Sequence, residues 1–133
     1  MRTITKKELQ EILEDHRQWL RSGGQEGCRA NLSFADLSEA DLSYTNFTGA
    51  TLHQADLRGA DLSGVNLIRA NLSYADLREA DLSRANLSYN SLWRADLRGA
   101  DLRVATAKDC WIYRAEFSSP EGRARLLMLG AYE

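Results

Sequence analysis

The chain has 133 residues and a formal net charge of −2, and its hydrophobic content comes mainly from Ala and Leu. That length predicts one domain with no room for a second core, and the charge balance argues against the basic face that direct nucleic-acid binding needs. No apolar run approaches a membrane span, and Met1 to Lys7 lead into a charged segment, not a signal-peptide core, so a cytoplasmic location is expected.

Residues 1–29 predict a helix and a linker. From about Thr5 to Arg21, Leu9, Ile12, Leu13, His16 and Leu20 recur at helical spacing. Thr5 followed by Glu8 fits a capping box, and Gly23-Gly24 supplies a stop. Such a helix must bury its stripe on something, and the open end of the segment that follows is the nearest surface.

From Ala30 to Ser119 the chain runs in blocks of five without insertion or deletion, as in Ala-Asn-Leu-Ser-Phe and Ala-Asp-Leu-Ser-Glu. The central residues fall at 32, 37, 42 and onward to 117, which makes eighteen blocks. Leu fills most centres, Phe47, Ile112 and Phe117 are also apolar, and Ala107 is the exception. A five-residue step smears these residues around a 3.6-residue helix and throws them to alternate sides of a flat strand. A coil with four five-residue sides instead turns one Leu and one Ala inward per side. Eighteen blocks then give about 4.5 coils, stacked at the usual strand spacing of about 4.8 Å. Each buried Leu contributes about 1.5–3 kcal/mol.

The recurring Ala-Asp/Asn-Leu-X-X unit resembles the motif of the pentapeptide repeat family over about two-thirds of the chain. The resemblance implies an all-β solenoid, specifically a right-handed quadrilateral β-helix, with the hand coming from the resemblance and not from the period. The residues themselves predict a non-enzymatic interaction or scaffold protein whose solenoid presents flat faces to an unidentified protein partner. Some members of the family mimic DNA and bind type II topoisomerases such as gyrase, modulating quinolone sensitivity. That alternative reading would use an acidic face of Asp36, Asp41, Asp56 and Asp61.

Two observations weigh against the mimic. Arg58, Arg78 and Arg98 stack beside one Asp ladder, with Arg84 and Arg103 on the adjacent face. By halves, Ala30 to Ile68 carries five acids against one Arg, whereas Arg69 to Ser119 carries seven acids against eight bases. The ladders have a structural explanation too, because Asp and Asn at corners bond to neighbouring backbone.

A second surface is expected toward the C-terminal end of the solenoid. Folding the sequence at twenty residues per coil brings Trp93 near Tyr113, Arg94 near Arg114, and Trp111 onto the same face. Trp, Tyr and Arg are the residue types enriched at binding hot spots, so these five are the candidate interface. Residues 120–133 break the period, and Ser119-Pro120 with Leu126, Leu127 and Leu129 predicts a C-terminal capping helix. It covers the second open end, and a homodimer through this end is an alternative use of the patch.

No catalytic, cofactor-binding or metal-binding constellation is predicted. His16 lies on the apolar stripe and His53 is expected to point outward, far from any nucleophile or second ligand. A solenoid filled by its own Leu side chains leaves no substrate cavity. Cys110 takes an inward position normally held by Ala, and Cys28 precedes the first block, too distant for an internal disulfide.

Overall fold

In the computed structural model, residues 1–133 are all described. Parallel bridges join each residue that precedes a block centre to the residue twenty further on, from Asn31↔Thr51 through Asp96↔Glu116. Four blocks therefore close one coil, and the coils 31–50, 51–70, 71–90 and 91–110 stack in register before the chain enters 111–119. In the block around Leu37, its N–H donates to the Asp56 carbonyl (2.8 Å), Glu39 to the Arg58 carbonyl (2.9 Å), and Asp56 back to the Ala35 carbonyl (2.9 Å). This pattern repeats along each side and satisfies the backbone that stacking buries.

The corners are tight turns. At Leu32 the carbonyl accepts from the Ala35 N–H (3.2 Å), while Phe34, third in the turn, has φ of 61°. One positive φ at that position defines a type II turn. Every block from the first to Arg114 places its corresponding residue in the left-handed region, and four of these residues are Gly49, Gly59, Gly64 and Gly99. The others carry side chains, including β-branched Val104 at φ 59°. The stack forces a conformation that these residues do not choose by themselves.

Inside, the Leu and Ala rows form one contiguous core with Phe47, Val65, Cys110 and Ile112. Asn90 stands among them in place of Ala, buried, and its Nδ2 donates to the Leu67 carbonyl at 3.2 Å. Cys110 is buried and Cys28 exposed, and both are free thiols. Burial pushes the Cys110 thiol up to about 12.

Both ends of the stack are paired as well as packed. A short strand, β1 (Arg2–Thr3), lies parallel to β2 (Ala35–Asp36) on the first coil. Helix α1 (Lys6–Arg21) follows, with Thr5 as N-cap and the predicted capping box to Glu8 formed in both directions. Its Leu9, Ile12 and Leu13 pack on the core. His16 is 1% exposed, its Nδ1 accepts from the Ala30 N–H (3.1 Å), and its ring stacks on Trp19 at 5.5 Å.

At the other end, α2 (Pro120–Met128) is shorter than the helix expected over 120–133. It delivers Leu126 to the core near the end where Ala107 replaces a larger centre. Gly130, at φ 98°, turns the chain back, and Tyr132 bridges to Trp111 in parallel. The Arg125 Nε also donates to the Leu102 carbonyl, 2.9 Å away. The terminal residues end as an added edge strand because an open coil offers unpaired backbone donors and acceptors. Neither helix is long and apolar enough to cross a membrane.

Candidate functional site

The outward surface divides into four faces of different chemistry. All thirteen Asp and Asn residues that precede a centre use Oδ1 to accept the backbone N–H two residues on, from Asn31 (to Ser33, 3.1 Å) to Asp101 (to Arg103, 3.0 Å). These Asx contacts hold each corner. The Asn oxygens are spent on this backbone bond.

On the face built from 36–39, 56–59, 76–79, 96–99 and 116–119, seven carboxylates stand among three guanidiniums. Arg58 binds Asp56 in a bidentate fork (Nε to Oδ1, 2.8 Å) and reaches Asp76 of the next coil at 3.8 Å. Arg78 repeats the arrangement with Asp76 and Asp96 (3.6 Å), and Arg98 with Asp96 and Glu116 (3.6 Å). The result is a continuous alternation of charge along the rod. The Arg58 and Arg98 hydrogen bonds hold Asp56 and Asp96 below the usual carboxylate range.

The four candidate acidic residues do not form one equivalent set. Asp56 is only 6% exposed and is locked to Arg58. Asp36, Asp41 and Asp61 are exposed and bond instead to Ser38, Ser43 and Ser63. Those hydroxyl bonds lower the Asp36 and Asp41 pKa values.

Arg position within the block decides pairing. Arg58, Arg78, Arg98 and Arg103 sit one residue after the centre and clasp the Asp two residues back. Arg69, Arg84, Arg94 and Arg114 sit two after the centre, in the left-handed position, and none has a carboxylate partner within 4 Å. The expected compensation on the second acidic ladder therefore comes from Arg103 and not from Arg84.

The five candidate interface residues come together on the face built from 31–34, 51–54, 71–74, 91–94 and 111–114. Trp93 and Trp111 stack nearly parallel (8°) with centroids 5.9 Å apart. Arg114 lies over Tyr113 at 5.4 Å, and Arg94 over Tyr74 at 5.3 Å. Residues that the sequence did not single out extend the stack: Phe34 meets His53 (5.7 Å), His53 meets Tyr74 (5.6 Å), and Tyr74 meets Trp93 (5.4 Å). His53 points outward from its coil as expected, and its neighbours in the aromatic row leave it half-buried. The row was hard to see because its members alternate between two positions of the block. Trp111 uses a third position.

None of the residues in these five ranges is Asp or Glu, and Arg94 and Arg114 are their only fixed charges. The Arg2 guanidinium joins the face at its first coil, donating to the Asn31 carbonyl (3.2 Å), and Asp56 and Asp76 border it beside Gln54 and Tyr74. Phe34, Trp111 and Tyr113 remain exposed.

A scan against protein-family models matches pentapeptide repeats, in eight copies, over residues 30–67 and 66–103. The chain belongs to the pentapeptide repeat family. Its members form right-handed quadrilateral β-helices and are generally structural or interaction proteins. Among solved structures it is similar to Rfr23, a pentapeptide repeat protein from the cyanobacterium Cyanothece 51142, with 37% identity and a TM-score of 0.59 over 67% of this chain and 57% of that one. It is also similar to HetL of Nostoc sp. strain PCC 7120, a pentapeptide repeat protein involved in heterocyst differentiation regulation, with 39% identity and a TM-score of 0.58 over 69% of this chain. The match spans 57% of Rfr23 and 41% of HetL. No curated protein matches the chain.

Proposed function

We propose that the protein is a non-enzymatic, cytoplasmic interaction module that binds a protein partner through Trp93, Arg94, Trp111, Tyr113 and Arg114. The observation that carries this reading is the exposed aromatic face without a carboxylate, beside a face where most charges are already paired. Exposed rings next to unpaired guanidiniums match the composition of binding hot spots. Affinity capture from the native cell extract tests it. Wild-type protein is expected to retain at least one partner that a folded Trp93→Ala/Trp111→Ala variant loses, whereas identical captured sets and unchanged self-association would remove this surface.

The topoisomerase-directed DNA mimic is a second reading, favoured by the exposed carboxylates of Asp36, Asp41 and Asp61, which no Arg clasps. A gyrase supercoiling assay with and without a quinolone decides it. Neither inhibition nor protection at micromolar protein would eliminate the mimic.

A further inference from the structure

We infer that the aromatic face recognises an acidic, apolar-containing segment of a partner protein, with its carboxylates on Arg94 and Arg114. This rests on the same face being the binding surface and goes on to specify what it binds.

Three features select that chemistry. First, charge complementarity has one sign: the residues of the face offer Arg94 and Arg114, with Arg2 at its far end, and no carboxylate, the bordering Asp56 and Asp76 being paired to Arg58 and Arg78. An acidic segment meets attraction here and repulsion on the neighbouring face.

Second, the two guanidiniums are held but not consumed. Stacking over Tyr74 and Tyr113 orders them, and neither is within 4 Å of a carboxylate. Their N–H donors are free to take carboxylates bidentately, with part of the ordering cost already met in the unbound protein.

Third, Trp93 and Trp111 cover one ring face of each other at 8° and 5.9 Å, and Arg94 and Arg114 cover a face of Tyr74 and Tyr113. These covered faces argue against single-stranded nucleic acid, which needs open ring faces for its bases and a longer track of cations than this face carries.

Selection from a random twelve-residue peptide library on the immobilised full chain tests the inference. Wild-type protein is the target, and Trp93→Ala/Trp111→Ala, checked for an unchanged melting profile, is the counter-target. Peptides rich in Asp and Glu with interspersed apolar residues are expected. Their affinity should fall about tenfold or more in Arg94→Gln/Arg114→Gln, an effect on the scale of one charged hydrogen bond.

Peptides that need the Trp pair but show no acidic enrichment would overturn the acidic specificity and leave the face as a binding surface. No Trp-dependent peptide at all would overturn both. Trp-dependent binding of a 20-nucleotide oligothymidylate, or Trp-dependent self-association in sedimentation, would replace the acidic segment with nucleic acid or a second copy.

Discussion

The acidic face and the aromatic face hang on the same Leu core and the same turns, yet they use arginine in opposite ways. On the acidic face Arg58, Arg78 and Arg98 close on carboxylates of their own and the next coil. On the aromatic face Arg94 and Arg114 rest on rings and keep their donors. The difference arises from a shift of one residue. An Arg directly after the centre shares the corner with the Asp two before it, whereas an Arg one further on stands in the left-handed position and projects elsewhere. Amino-acid composition alone treats these arginines alike; their place in the block separates neutralising charge from available charge.

If the faces differ only at the surface, the core beneath them should respond equally. Leu72→Ala, under the aromatic face, and Leu77→Ala, under the acidic face, should each cost about 2–5 kcal/mol in chemical denaturation. A large inequality would show that one side of the stack carries more of the fold than the other.

Asp56→Ala is the next largest effect. It removes the corner bond and leaves Arg58 without its fork, so a loss of about 1–3 kcal/mol is expected. Arg94→Gln on the aromatic face breaks no ion pair, and its melting temperature should stay close to wild type.

Val104→Gly should raise stability by about 1 kcal/mol. A β-branched residue in the left-handed region costs roughly 1–2 kcal/mol, and the greater freedom of unfolded Gly returns part of that gain. Val104 is 70% exposed, so little packing is lost. A lower melting temperature would mean that the turn is not strained.

The pH profile separates the end cap from the acidic face. Folding lowers the pKa of His16 by burying it, so its contribution is complete above about pH 6.5 and declines as pH falls. Asp36, Asp41, Asp56, Asp96 and Asp101 are also lowered, by hydroxyl or guanidinium hydrogen bonds. Their contribution is complete above about pH 4 and is lost below it. His16→Gln should flatten denaturation midpoints between pH 7 and 5 while leaving the fall below pH 4.

Much of this was legible in the sequence. The five-residue period placed the core, Asp and Asn announced the corners, and Thr5 with Glu8 marked the start of α1. The left-handed residues were not legible, because Phe34, Glu79 or Arg114 gives no local signal for a positive φ that only the closed coil imposes. The strand at Arg2–Thr3 and the return of Tyr132 were hidden for a similar reason: two residues have no periodicity, and their pairing depends on an edge formed elsewhere. Of the site, five residues were readable from a twenty-residue register. Phe34, His53 and Tyr74 were missed because the rings change position from coil to coil.

The most direct measurement is a tryptophan-fluorescence titration with the tightest peptide from the library selection, run on three proteins. Arg94→Gln/Arg114→Gln should bind about tenfold or more weakly, and Asp36→Asn/Asp41→Asn should bind as wild type does. Equal affinity of wild type and the Arg variant, or a loss confined to the Asp variant, would contradict the assignment of recognition to the aromatic face.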